Sequence, residues 1–212
     1  MALKQIQKIG VYTSGGDAPG MNAAIRAVVR SSVYYGLSVS GIYRGYEGMI
    51  ENDIIDIMDV RSVNQILQKG GTMLESARCA EFRTPEGRTK AFRNLKTRQI
   101  DALVAIGGDG TVTGAMLLAK EHGIPIIGIP GTIDNDLNGS DYTIGFDTAT
   151  NTAIEAVDNI RNTAMSHNRL FFVEVMGRNS GFIAANTGLA SGAIDILIPE
   201  REGSIEAICE KL

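Results

Sequence analysis

The sequence predicts an α/β protein, a mostly parallel sheet covered by helices on both faces. Short apolar runs free of charge alternate with longer segments whose apolar residues recur at helical spacing. Uncharged strand runs of that kind belong to sheets buried on both sides. Glycines also gather where two of the strand runs end, at SGGD after KIGVYT and at GGDG after DALVAI.

KIGVYT (8–13) reads as the first strand, and MNAAIRAVVRSSVYYG as a helix with Ala24, Ile25, Val28, Val29 and Val33 on one side and Gly36 as its stop. LSVSGIY (37–43) returns to strand character. SVNQILQKGG reads as a short helix from Ser62, closed by Gly70 and Gly71. AFRNLKTRQI is helical, DALVAIGG (101–108) a buried strand, and GAMLLAKEHG a helix ending at Gly123. IPIIGI (124–129) reads as a fully buried strand, and TATNTAIEAVDNIRNTAMSH as a long amphipathic helix. LFFVEVMG as a strand, SGFIAANTGLASG as a helix, AIDILIP as a strand and a helix from Ser204 complete the order. A second lobe is expected to begin near Tyr142, giving lobes over 1–142 and 143–212.

The chain has 212 residues, enough for one large domain or two small ones. Hydrophobic residues at 44% and charged residues at 21% argue against disorder. The net charge of -4 argues against nucleic acid as a general partner. Cys79 and Cys209 lack paired-motif spacing and suit reduced thiols in the cytosol. The N-terminus has no apolar signal segment, and no apolar run approaches the ~20 residues that span a bilayer. The expectation is a soluble, cytoplasmic protein with no membrane partner.

Three loops carry the chemistry. TSGGDAPG (13–20) and GGDGT (107–111) each put glycines at a strand end and an aspartate directly after Gly-Gly. Glycine lets a backbone N–H approach a phosphate closely, and the helix that follows adds its dipole. Neither loop is a P-loop or a G-x-G-x-x-G motif. One such turn serves equally well to reverse the chain; two in one chain point to phosphate. Asp17 and Asp109 stand where magnesium bridging nucleotide phosphates needs a carboxylate, although Asp17 equally suits a helix cap. In the third loop, PGTIDND (130–136), Asp134 and Asp136 share a face if the segment is extended. Paired carboxylates beside a phosphate suit general-base work on a hydroxyl, the alternative being an Asx-type turn in which Asp134, Asn135 and Asp136 bond their own backbone. Arg178 follows an apolar strand run and can meet charge on a transferring phosphoryl group. Arg26 and Arg30 lie one helical turn apart, as either a phosphate grip or a solvated face.

TSGGDAPGMNAAIR, GGT-x-L-x-SAR (70–78), IGGDGT, PGTIDND, DYTIGFDTA and VEVMGR, in this order and over nearly the whole chain, closely resemble the bacterial ATP-dependent 6-phosphofructokinases. The resemblance implies a Rossmann-like three-layer fold of two lobes, the second incomplete in this chain. It implies phosphoryl transfer from MgATP to the 1-hydroxyl of fructose 6-phosphate in glycolysis. Gly16, Arg78, Cys79, Gly108, Asp109, Gly110 and Thr111 match nucleotide positions, with Asp109 as the magnesium ligand. Asp134 matches the catalytic base; Thr132, Arg178 and Arg78 match further catalytic positions. Thr132, Ile133, Asp134, Met176, Gly177 and Arg178 match sugar-contacting positions. Arg169 matches a residue that reaches the neighbouring subunit's site, which implies a homo-oligomer, a tetramer in this family.

Pyrophosphate-dependent relatives carry aspartate and lysine where this chain has Gly110 and Gly131, so the resemblance favours ATP as donor. Arg26, Arg30 and Arg161 match an allosteric effector site, but a glutamate of that site falls at Ile194 and an arginine at Val60, so weak or altered activation by ADP is expected. Family members are longer by roughly a hundred residues, in keeping with two-lobed α/β enzymes. The chain is therefore expected to be an N-terminal portion, able to bind nucleotide and incomplete as a catalyst. The open alternatives are a pyrophosphate-dependent enzyme and a nucleotide-binding fragment without turnover.

Overall fold

The computed structural model describes residues 6–201 and 203–211. The chain divides into two compact units, Met1–Thr132 and Ile133–Leu212.

The first unit follows the strand–helix alternation. Strand β1 (Lys8–Ser14) leads through α1 (Met21–Tyr34) to β2 (Ser38–Ile42), then through α2 (Tyr46–Glu51) to the short β3 (Ile54–Ile55). A single 3-10 turn (Glu81–Arg83) precedes α3 (Pro85–Thr97), β4 (Ala102–Gly107), α4 (Asp109–His122) and β5 (Ile126–Thr132). Thr84 starts α3 by accepting from the Gly87 N–H at 3.1 Å, with Pro85 in the first turn where its missing N–H costs nothing.

These strands lie in the order β3-β2-β1-β4-β5. β1 pairs in parallel with β2 and β4, β4 in parallel with β5, and β2 antiparallel with β3. The order reverses at β1 and β4: one crossover runs outward through α1 to β2, the other through α4 to β5. Right-handed crossovers in opposite directions put α1 and α4 on opposite faces of the sheet. On one face Tyr12, Ile42, Leu103 and Ala105 pack against Tyr46, Met49, Phe82, Leu95 and Leu118 in a buried cluster.

Two expectations in this unit need correction. Residues 62–69 form successive turns instead of a helix. Asp59 accepts the backbone N–H groups of Arg61 and Ser62 at 2.8 and 2.9 Å, and Gln65 takes φ 57°, which a helix does not tolerate. The IPIIGI run is a strand but not a fully buried one. Ile126 faces the core cluster while Ile127, on the opposite side of the pleat, is 67% exposed. Helix α2 and strand β3 escape sequence reading, being too short to show a period.

The second unit holds the two-residue strand β6 (Ile144–Gly145), then α5 (Phe146–His167), α6 (Phe182–Ser191) and α7 (Ile205–Lys211). Helices α5 and α6 pack on each other, with Phe146 edge-on to Phe182 at 6.3 Å. The strands expected at LFFVEVMG and AIDILIP do not form. No strand pairs with either among the described residues, and an apolar run without a ladder partner stays irregular. Phe172 is accordingly 76% exposed, and Ile194 and Leu197 are exposed as well. Among the described residues no helix is long and apolar enough to cross a membrane.

Candidate functional site

In an open α/β sheet the binding crevice lies beyond the carboxyl ends of the strands where the order reverses. Here those strands are β1 and β4, and their ends run into the two glycine loops. Their approach is too close for side chains. A Cβ on Gly107 would lie 2.6 Å from the Ser14 carbonyl oxygen and 2.4 Å from Thr111 Oγ1. A Cβ on Gly45 would lie 2.5 Å from the Thr13 carbonyl oxygen. Thr111, buried in the first turn of α4, donates its hydroxyl to the Ser14 carbonyl at 2.8 Å and so ties the two strand ends together.

Helix α4 opens at this point. Gly108 precedes it in extended conformation and no side chain caps it; the Thr111 N–H donates to the Gly108 carbonyl at 3.0 Å, so the amides of Asp109 and Gly110 and the helix dipole are left to solvent or a ligand. Asp109 and Gly110 in that first turn are exposed. Among the described residues the Asp109 carboxylate has no ion pair. A Cβ on Gly110 would meet nothing within 4 Å, whereas one on Gly131 would press on Ile106 at 3.2 Å and Met21 at 3.4 Å.

The 69–79 loop is stitched to β1 and α1. Buried Asn22 donates to the carbonyls of Lys69 and Gly70 and accepts the Met73 N–H at 2.7 Å. The Thr13 hydroxyl lies 2.8 Å from both Thr72 Oγ1 and the Glu75 carbonyl, and Ser76 donates to the Gly15 carbonyl. This holds the chain leading to Arg78, which is exposed, and to Cys79, which packs partly against the core cluster. Gly15 takes φ 86°, and Gly16 has open space around it. Asp17 is exposed and does not cap α1, whose N-cap is Gly20.

The Asp134 loop begins the second unit. Burial, and then the neighbouring Asp136 charge, push the Asp134 carboxyl above its ordinary value. Its loop is held by Asn135 at φ 51°: the side-chain oxygen accepts the Thr143 N–H at 2.9 Å and the side-chain amide donates to the Asp141 carbonyl at 3.2 Å. Ser180 donates to the Asp134 carbonyl at 2.8 Å. Asn135 thus plays the part that the Asx-turn alternative gives it, whereas sequence reading missed Ser180 and Asn22 as loop holders. Arg178 does not end a strand. It sits at φ 52° in a turn whose Gly177, at φ 141°, leaves no room for a side chain against the Ser180 carbonyl. Arg169 and Met176 are exposed.

A family model described as phosphofructokinase matches residues 8–212. The chain belongs to the phosphofructokinase family. It is 59% identical over 207 residues to the ATP-dependent 6-phosphofructokinase 1 of Thermus thermophilus, covering 98% of this chain and 64% of that protein. It is 58% identical to the ATP-dependent 6-phosphofructokinase 2 of Bacteroides thetaiotaomicron, covering 97% of this chain and 63% of that protein. The chain thus spans just under two thirds of these relatives' length. Among solved structures, phosphofructokinase from Saccharomyces cerevisiae superposes with TM-score 0.88 at 42% identity, over 97% of this chain and 32% of that one. The pyrophosphate-dependent phosphofructokinase of Marinobacter aquaeolei shares the fold at TM-score 0.80 and 24% identity, over 97% of this chain and 56% of that one.

The remaining residues singled out from sequence are placed as follows. Arg26 and Arg30 lie on α1, half-buried and exposed respectively. Arg161 on α5 donates to the Ser191 carbonyl at the end of α6. Among the described residues no group of three acidic, histidine or cysteine side chains could hold a metal ion. Asp109 therefore offers a single carboxylate, which fits magnesium that arrives already coordinated by phosphates.

Proposed function

We propose that the chain forms the nucleotide-binding part, and some of the sugar-phosphate part, of an ATP-dependent 6-phosphofructokinase. The observation that carries this reading is the turn Gly107–Thr111. It lies at the switch point of the sheet, with helix amides that no side chain caps, an Asp109 carboxylate without an ion pair among the described residues, and open space at Gly110. Gly108, Asp109, Gly110 and Thr111 would hold the phosphates, with Gly16, Arg78 and Cys79 completing the nucleotide site. Asp109 would hold magnesium, which when bound neutralises charge on the β- and γ-phosphates. The space at Gly110 admits the ATP α-phosphate, where a carboxylate would repel it.

In the reaction, the 1-hydroxyl of fructose 6-phosphate attacks the γ-phosphorus as the bond to ADP breaks. Asp134, made more basic by its surroundings, accepts the hydroxyl proton. Thr132 and Arg178 meet the charge on the transferring group, while Ile133, Met176, Gly177 and Arg178 contact the sugar. Arg169 would serve a neighbouring subunit's site in a homotetramer. Arg26, Arg30 and Arg161 would form an effector site, with weak ADP response given Ile194 and Val60. The nucleotide lobe is assigned to residues 1–142, whose last loop also turns Thr132, Ile133 and Asp134 to the sugar, the partial sugar-phosphate lobe to 143–212, and the cytoplasm as location.

A coupled assay with fructose 6-phosphate and either MgATP or magnesium pyrophosphate tests the reading. Turnover or binding selective for MgATP is expected; selectivity for pyrophosphate would overturn the donor assignment. MgATP binding without turnover identifies a nucleotide-binding portion whose sugar site needs the length its relatives add. Asp134→Ala should lower turnover about 100-fold or more with nucleotide affinity nearly unchanged.

A further inference from the structure

Glu200 has no part in the chemistry above, yet its carboxylate reaches the turn that carries Arg178. That turn is strained: Arg178 takes φ 52° directly after Gly177 at φ 141°. A residue with a Cβ keeps a left-handed backbone only where its surroundings hold it there. Here they hold it from two sides. On one, the Ser180 N–H closes the turn on the Gly177 carbonyl at 2.9 Å, and the Ser180 hydroxyl donates to the Asp134 carbonyl at 2.8 Å. On the other, the Gly181 N–H donates to Glu200 Oε1 at 2.8 Å, 19 positions further along the chain. Gly177, Ser180 and Gly181 are buried while Arg178 is exposed, so a buried frame presents the arginine outward.

Glycines on α6 bring Glu200 to this place. A Cβ on Gly188 would lie 2.6 Å from Ile196 Cγ1, and one on Gly181 would lie 2.5 Å from Ile198 Cβ and 2.6 Å from Glu200 Oε2. The irregular segment that ends at Glu200 is thus seated along the helix, and its seating sets the carboxylate over the first residue. Gly181 opens α6, so its buried N–H lies outside the helix's own ladder and needs an acceptor from elsewhere. A carboxylate suits that end, because the helix dipole attracts an anion there.

We infer that Glu200 is a positioning residue for Arg178: by holding the Gly181 N–H it clamps the arginine's turn against the Asp134 loop, and so keeps the guanidinium in register with the base. It acts through the backbone and touches neither nucleotide nor sugar. The inference rests on the reading that gives Arg178 the charge of the transferring group. What Glu200 supplies is an acceptor, so glutamine in its place should serve and alanine should not.

The test compares Glu200→Ala with Glu200→Gln in the 212-residue chain. In the free protein, amide exchange at residues 178–182 should quicken about 3- to 10-fold in Glu200→Ala and stay within about twofold in Glu200→Gln, with α5 unchanged in both. In the coupled assay with MgATP and fructose 6-phosphate, Glu200→Ala should lower kcat about 10-fold and leave KM for MgATP within about twofold. Added to Arg178→Ala it should lower kcat no further, because it acts only through that arginine. Exchange in the turn as slow as in the wild type, an equal loss in Glu200→Gln, or full additivity with Arg178→Ala overturns the inference. If the wild type shows no turnover, the reading of this chain as a catalyst fails by itself, and the exchange measurement decides whether Glu200 clamps the turn.

Discussion

The Gly107–Thr111 turn and the Ile133–Asp136 turn both follow a strand end, yet they are held by different means. The first is fixed by backbone crowding and buried hydroxyls: Gly107 against the Ser14 carbonyl, and Thr111 held through both its hydroxyl and its carbonyl. The second hangs on hydrogen bonds from two side chains, Asn135 and Ser180, around a half-exposed carboxylate. The difference matches the work assigned to each. Backbone recognition of phosphate needs amides that do not move, because the backbone has no rotamers with which to adjust. A general base needs a carboxylate dry enough to be basic and wet enough to exchange its proton.

The largest test of this contrast is Gly107→Val. Its Cβ would meet a backbone carbonyl and a buried threonine, neither of which can yield, so a loss of about 3 kcal/mol or more in urea-unfolding stability is expected. Asn135→Ala should cost about 1–2 kcal/mol by leaving the Thr143 N–H and Asp141 carbonyl without that partner. A cost for Asn135→Ala equal to that of Gly107→Val would erase the distinction between the two turns. Thr111→Val should cost about 1 kcal/mol through loss of the bond to the Ser14 carbonyl, and should weaken MgATP more than adenosine in a binding titration.

Asp134→Asn gives the smallest effect and has the opposite sign. The folded state raises the Asp134 pKa, so it favours the protonated form. Stability from this group is full below the ordinary aspartate range and falls as pH rises through the raised value. The asparagine variant should therefore melt higher near pH 7, by about 1 °C, and lose that advantage at acid pH. A variant that melts lower at neutral pH would show that contacts to the wild-type carboxylate outweigh the cost of its burial.

Sequence legibility differed between the units for a physical reason. In the first unit the strands at 8–13, 37–43, 101–108 and 124–129 all appear, because each has a parallel neighbour. In the second, LFFVEVMG and AIDILIP have strand composition and no ladder partner among the described residues, so propensity alone did not make them strands. The loops were legible as glycine patterns, and placing GGDGT at the switch point supplied the reason for its glycines. What holds the loops was not legible. Asn22, Ser180 and Tyr46 act through contacts with residues 46 to 65 positions away, which no local pattern records. The turn over 62–69 was misread because Gln65 turns to φ 57° within the apolar pattern, a backbone state that a helix does not tolerate and no local pattern announces.

The central claim is that the Gly107–Thr111 turn binds the phosphates of MgATP and that open space at Gly110 admits the α-phosphate. Titration of MgATP into the wild type and Gly110→Asp, each with circular dichroism to confirm folding, tests it most directly. The wild type should bind, and the variant, whose new side chain meets nothing in the free protein, should fold normally and bind MgATP about 100-fold more weakly. Equal affinity in a folded variant would place the nucleotide elsewhere and contradict the account.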